Sequence, residues 1–252
     1  MLKGFLKYLF AKTGYKISKQ LPFFLNHNES LIQIDFEYVL SKLITSVDHC
    51  QFIQVGANDG KLNDPLWKFI LKKFLKGVMI EPQPEIFKKL KANYAELDID
   101  GISFENIAID KNHRHRNLYT VQNPSNPQDI WTHAAASFDK SHIEKMLSPD
   151  SLENNGECIE TLSVRSETFD YILKKYKISQ LEFLQIDAEG YDFELLKAFP
   201  FSKVIPKVIH FEHIHLDIFN RNSALEFLHQ LGYSFVMEYF DITAVHKSLI
   251  EN

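Results

Sequence analysis

The chain has 252 residues, 45% of them hydrophobic and 24% charged, with a formal net charge of −5. That composition is ordinary for a folded domain with a sizeable core. The acidic balance excludes a general nucleic-acid binder, which needs a basic face for phosphates. Two cysteines, Cys50 and Cys158, make neither a disulfide framework nor a zinc cluster, which points to a reducing, cytoplasmic setting.

Residues 1–20 carry Lys3, Lys7, Lys12, Lys16 and Lys19 and no acid, with Leu2, Phe5, Leu6, Leu9 and Phe10 at helical spacing. Lys7 interrupts the one apolar run that resembles a secretion signal, and no run reaches the roughly 18 residues of a membrane span. The segment reads as a basic amphipathic helix that either packs on the domain or lies on the anionic inner face of a membrane. Residues 1–48 are then a helical extension, and 49–252 form the main domain.

From about residue 50, short apolar strands alternate with helical stretches, which predicts an α/β fold with a mostly parallel sheet and crossover helices. Strand one, Phe52–Val55, stops at Gly56, and Asp64-Pro65 opens a helix striped by Leu66, Phe69, Ile70 and Phe74. Gly77 releases the chain into strand two, Val78–Ile80, which ends at Glu81; a helix with Ile86, Phe87, Leu90 and Tyr94 follows. Strand three falls around Ser103–Ile109, strand four at Glu182–Ile186 and strand five at Lys207–Phe211, with a helix from about Tyr191 to Phe199 between the last two. A helix over Ser223–Leu231 stops at Gly232. Strands near Ser234–Tyr239 and Ile242–His246 are too close for a crossover, so they are antiparallel. Between strands three and four, the polar stretch 111–165, with a short helix at Ser141–Met146, reads as a lid or acceptor-binding insertion.

The turn after strand one, Val55-Gly56-Ala57-Asn58-Asp59-Gly60, lets backbone amides approach a ligand. Asn58 and Lys61 stand where a nicotinamide-dinucleotide fingerprint needs its second and third glycines, which argues against that cofactor. Glu81, 25 residues after Gly56, ends strand two where a carboxylate can accept hydrogen bonds from ribose hydroxyls. The two features together predict an adenosine-type ligand.

Phe52–Gly60 (FIQVGANDG), Val78–Pro84 (VMIEPQP), Asn106–Asp110 (NIAID), Phe183–Glu194 (FLQIDAEGYDFE), Val208–Glu212 (VIHFE) and Asp241–Val245 (DITAV) resemble the FkbM family of S-adenosylmethionine-dependent methyltransferases. The resemblance covers about residues 50–246. It implies a Rossmann-like class I methyltransferase fold with seven strands, the last antiparallel, and helices on both faces. It also implies S-adenosylmethionine as cofactor and O-methylation of a sugar hydroxyl or a secondary metabolite. Position by position, Gly56, Asn58 and Gly60, with Asp59 between them, line the methionine part. Glu81 holds the ribose, Ala108 and Ile109 lie near the adenine, and Asp187 sits near the cofactor's ammonium or the reaction centre.

A sugar hydroxyl needs a base within reach, and Asp187, Glu189, Glu212 and His213 stand at strand ends on the cofactor side. His213 titrates in the right range but equally suits a strand cap, and Glu189 equally suits a helix N-terminal acid. These residues and His215 carry metal-binding atoms, yet no tight ligand motif is present, so no metal is expected. In the insertion, Lys111, His113, Arg114, His115 and Arg116 either grip an acidic sugar or phosphate or form a solvated loop. Trp131, His133 and Ser137 suit a sugar through stacking and hydrogen bonding, with Trp131 equally suited to a core. The expected partner is a glycan or small-molecule acceptor, with no nucleic acid. Two other readings use the same residues: a methyltransferase of a non-sugar small molecule, and a non-catalytic nucleoside-binding scaffold in a glycan-assembly complex.

Overall fold

The structure, a computed structural model, describes residues 35–250 apart from 48, 73, 98, 113, 123–135 and 148–157. The basic helix expected at 1–20 and the candidates Trp131 and His133 lie outside the described residues. Helix α1 (Phe36–Thr45) precedes strand β1 (Cys50–Val55), helix α2 (Trp67–Leu71), β2 (Leu75–Ile80), α3 (Pro84–Ala95) and β3 (Ile102–Glu105). The chain then builds β4 (Ala108–Ile109), β5 (Arg114–Gln122), β6 (Ala136–Ser137), α4 (Lys140–Met146) and β7 (Cys158–Glu167). It returns through α5 (Phe169–Lys175), β8 (Phe183–Ile186), α6 (Asp192–Ala198) and β9 (Val208–Glu212). It ends on α7 (Ile218–Gln230), β10 (Tyr233–Met237), β11 (Asp241–His246) and α8 (Lys247–Ile250).

Seven strands form the main sheet in the order β10-β11-β9-β8-β1-β2-β3. The five strands from β9 to β3 are mutually parallel, and β11 runs antiparallel to both β9 and β10. This is the expected class I methyltransferase arrangement. Strand order reverses between β1 and β8, so their carboxyl ends open a crevice at the switch point, where open α/β sheets take ligands. Strand alternation explains the two apolar layers. Ile53, Val55, Leu184 and Ile186 face the core that contains Phe169, Phe193 and Leu228, whereas Phe52, Met79 and Phe183 face the one that contains Leu40, Ile70 and Leu90.

Three sequence expectations change. Helix α1 belongs to the domain rather than to an extension ending at 48: Phe36, Leu40 and Leu43 are buried in the second apolar layer, and the Phe36 ring packs on Phe183 at 5.7 Å and on His210 at 4.2 Å. The apolar stripe after Asp64 makes only the five residues of α2, with Phe74 exposed, and Gly77 lies inside β2. A side chain at Gly77 would sit 2.0 Å from the Phe52 carbonyl oxygen, so close strand packing explains this glycine better than a helix stop does.

Strand three also divides. Asn106 donates from its side-chain amide to the carbonyls of Glu81 (2.9 Å) and Pro82 (3.1 Å), which pins the chain to the end of β2. Past that clip, β4 pairs with β7 instead. The stretch 111–165 is therefore far from a plain loop: β4-β7-β5-β6 form a second sheet, with Arg114 to Gln122 paired along Ser166 to Cys158. Among the described residues, no helix is long and apolar enough to cross a membrane.

Candidate functional site

The carboxyl ends of β1, β2 and β8 open into a cleft. Gly56, Asn58, Glu81 and Asp187 line it together with Ala108, Ile109 and the aromatic pair Phe138 and Tyr191. Gly56 has φ +78, and a side chain there would meet the Asp187 carbonyl oxygen at 1.8 Å, so only glycine lets β1 end this close to β8. The amides of Gly56 and Ala57 both donate to the Ile80 carbonyl at 3.0 Å, which folds the turn over the end of β2.

Glu81 is buried at the cleft wall with both oxygens already committed. Oε2 accepts from the Asn58 amide at 3.0 Å, and Oε1 accepts from the Gln83 amide at 2.8 Å. Burial pushes its carboxyl up to about 7, against the pull of those two N–H groups. Each oxygen keeps a lone pair for a ligand hydroxyl.

Asp59 and Gly60 were expected to face the cofactor and do not line the cleft. Asp59 Oδ1 accepts from the amides of Lys61 and Leu62 and shapes the turn. Gly60 presses on α3, where a side chain would meet Leu90 at 2.3 Å, and its carbonyl accepts from the Tyr94 hydroxyl at 3.0 Å. The turn glycines thus divide between cleft and core.

At the far end of the cleft, acids and imidazoles gather. Asp187 ends β8, and burial, followed by the nearby Glu189, Asp192 and Asp241 charges, pushes its carboxyl well above the usual range. Glu189 takes a left-handed backbone conformation, φ +48, unusual for a side chain of its size. Buried Asp192 fixes that turn by accepting from the Ala188 amide (3.3 Å) and the Gly190 amide (3.1 Å). Glu189 Oε2 lies 3.3 Å from His215 Nε2 and 3.5 Å from His142 Nε2, and Glu212 Oε1 lies 3.6 Å from His215 Nε2. Glu212, like Asp187, is pushed up by burial and by its acidic neighbours.

His213, a candidate base, is not brought to this group. It is buried with Nε2 hydrogen-bonded to the Glu238 carbonyl at 3.2 Å, and its own amide donates to Phe240, so it anchors the β10–β11 turn. Two acceptor candidates also prove to be structural. Ser137 is buried, and its hydroxyl donates to the Glu189 carbonyl at 3.0 Å, tying β6 to the loop after β8. Arg114 pairs with the buried Asp110 carboxylate at 2.8 Å.

Arg116, which the sequence offered only as one of a basic cluster, meets partners that spacing did not predict. Arg116 ion-pairs with Asp110 at 3.2 Å, hydrogen-bonds the Tyr191 hydroxyl at 3.0 Å and lies 3.8 Å from the centre of the Phe138 ring. The Tyr191 hydroxyl in turn donates to Asp110 at 3.0 Å. Burial alone would raise the Asp110 carboxyl; the Lys111 amide, Tyr191, Arg116 and Arg114 overcome it and hold the group below its usual range. His142, on α4, enters the acidic group from a part of the chain that the sequence treated as a lid helix.

A family model described as the methyltransferase FkbM domain matches residues 54–235. No curated protein matches the chain. Among solved structures, the chain is similar to the methyltransferase FkbM from Methylobacillus flagellatus KT, at 13% identity and a TM-score of 0.48, over 79% of this chain and 44% of that one. It is similar to an rRNA methylase from Streptococcus thermophilus at 10% identity and a TM-score of 0.43, over 86% and 99%. A precorrin-6y C5,15-methyltransferase from Geobacter metallireducens GS-15 gives 11% identity and a TM-score of 0.41, over 83% and 88%. The chain spans under half the length of the first of these structures.

Proposed function

The chain belongs to the FkbM methyltransferase domain family, and on that premise we propose that it transfers a methyl group from S-adenosylmethionine to a hydroxyl oxygen of a sugar or glycan precursor. The observation that carries the reading is the buried Glu81 carboxylate, oriented by the Asn58 and Gln83 amides at the wall of the cleft. A carboxylate so placed is pre-set to accept from two neighbouring ribose hydroxyls, with no reorganisation on binding. Ala108, Ile109 and Leu118 offer an apolar slot for a purine next to it. The cofactor contributes a methyl group made electrophilic by its sulfonium sulfur.

What the protein adds is placement and a proton acceptor. Aligning an oxygen with the methyl carbon is worth roughly 7–11 kcal/mol when the geometry is near-attack. A base within hydrogen-bond reach adds about 10²–10⁴-fold. Asp187 and Glu189 line the cleft, with Glu212 close by beside His215, and these acids take that role in this reading. The Phe138 and Tyr191 rings give an acceptor an aromatic wall, and the carboxylates give its hydroxyls hydrogen-bond acceptors. The reading includes a cytoplasmic setting, in keeping with the buried free thiol of Cys50, and contact of residues 1–20 with an anionic membrane surface.

Calorimetric titration with S-adenosylhomocysteine, with NAD as a control, tests the cofactor. Micromolar binding that Glu81→Ala abolishes, with none to NAD, supports the reading and opens a screen of sugar acceptors for methyl transfer. Absent binding rejects it and leaves a non-catalytic scaffold.

A further inference from the structure

His142, Glu189 and His215 come from three separate parts of the chain: helix α4 of the insertion, the loop after β8 and the loop after β9. Their ligand atoms all lie within 4.8 Å of one another. The two imidazole–carboxylate separations are 3.3 and 3.5 Å. Ligands bonded at about 2.0–2.2 Å to a tetrahedral or octahedral ion stand roughly 3.0–3.5 Å apart, so this spacing suits one ion shared among them. The two imidazole rings meet edge to face, with centroids 4.5 Å apart, which keeps both Nε2 atoms turned to the same carboxylate.

Two further features set this cluster apart from a chance meeting of polar groups. His142 Nε2, Glu189 Oε2 and Glu212 Oε2 are buried atoms with no hydrogen-bond partner among the described residues. Buried polar atoms normally find partners, and ligation by one cation would satisfy His142 Nε2 and Glu189 Oε2. Glu189 is also held at φ +48 by Asp192 below it and by Ser137 on its carbonyl. Such a conformation is strained and gathers at functional sites.

The geometry points to a divalent transition-metal site formed by His142, Glu189 and His215, with Glu212 beside it. Two imidazoles and one carboxylate suit Zn²⁺, Mn²⁺, Fe²⁺ or Co²⁺ better than Mg²⁺ or Ca²⁺, which prefer oxygen ligands alone. Three protein ligands leave coordination positions for a water or an acceptor hydroxyl, the pattern of catalytic rather than structural sites. Since Glu189 also lines the cleft, the ion stands where the acceptor enters; that role, unlike ion binding itself, rests on the methyltransferase reading. No metal is expected from the sequence because no two of the three ligands lie in one short motif.

The test uses the full chain, stripped with a chelator and titrated with Co²⁺ while its visible absorption is followed, then with Zn²⁺ in competition. We expect one Co²⁺ per chain, a d–d band, and two paramagnetically shifted imidazole N–H resonances in the wild type. His142→Asn and His215→Asn, which keep a polar side chain of moderate size, each weaken Co²⁺ by at least about tenfold. S-adenosylhomocysteine titrations on the same variants report folding and the cofactor site separately. Lost Co²⁺ with retained nucleoside binding supports the site. Absence of a d–d band or of shifted imidazole signals in the wild type overturns it, as does Co²⁺ affinity unchanged from wild type in both variants, whatever the outcome with nucleoside.

Discussion

The main-chain amide of Asn58 donates to Oε2 of Glu81 at 3.0 Å, so the turn after β1 and the acid that ends β2 fix one another. Replacing Glu81 by Gln keeps the size and one acceptor but removes the charge. Hydrogen bonds to a charged group contribute about 1.5–3 kcal/mol each. With two ribose contacts weakened, Glu81→Gln lowers affinity for S-adenosylhomocysteine by roughly 100-fold, read by calorimetry.

The same carboxyl makes binding pH-dependent. Burial holds it near 7 in the free protein, and ribose hydroxyls donate more strongly, and to both oxygens, in the ionised form. Nucleoside affinity therefore climbs from pH 6 to pH 8 and then levels. The Glu81→Gln variant, with nothing to titrate, stays flat across that range in the same titration.

Two glycines of one turn separate under substitution. Gly56→Ala drives a Cβ to 1.8 Å from a main-chain carbonyl oxygen, which can move only if β8 moves, whereas Gly60→Ala meets the side chains of Leu90 and Tyr94. Urea denaturation ranks Gly56→Ala as the costlier, at about 3 kcal/mol or more, with Gly60→Ala at about 1–3 kcal/mol. Gly56→Ala also disturbs nucleoside binding more, because Gly56 lines the cleft.

Arg116→Met removes one of two cations from a carboxylate that has no exposed side-chain surface. Arg114 remains, so the loss is about 2 kcal/mol rather than the 3–5 of a fully orphaned charge. The Asp110 carboxyl, now held low, lends stability above its unfolded value that disappears as pH falls through its lower folded value. Without Arg116 the folded value rises, so acid unfolding of the variant begins at higher pH, measured by circular dichroism.

His210 provides a second acid sensitivity. It is buried beneath Phe36, hydrogen-bonded to Thr243, and desolvation lowers its ring from the ordinary 6.5 to about 3. Below pH 6.5 the unfolded chain takes up the proton and the folded chain does not, so stability declines by about 1.4 kcal/mol per pH unit until the ring protonates in place. His210→Gln removes this slope from the pH dependence of the urea midpoint.

The sheet and the cofactor side of the cleft were legible because each signal is local. An apolar run, a glycine and an acid, in that order, state a buried strand, its turn and its functional end, as at Val55-Gly56 and Ile80-Glu81. The second sheet was not legible, since β5 reads Arg-His-Arg-Asn before its first buried apolar residue and draws its pairing from β7, antiparallel and distant in the chain, from Arg114 with Ser166 to Gln122 with Cys158. Asn106 cuts strand three with a side chain that in sequence is simply polar. The roles of His142, Arg116 and Tyr191 depend on partners that only the fold brings near, and His213 misled because adjacency to a strand end says nothing of which side the ring takes.

Leu118, Ala136 and Phe138 belong to the second sheet and its edge, yet they face the same cleft as Gly56 and Glu81. One cleft is thereby built from two stretches of chain, the strand ends of the main sheet and an excursion between β3 and α5. Substitutions at Phe138, on the excursion, can therefore reshape one wall of the cleft while Gly56, Asn58 and Glu81 keep their contacts with the main sheet and with one another.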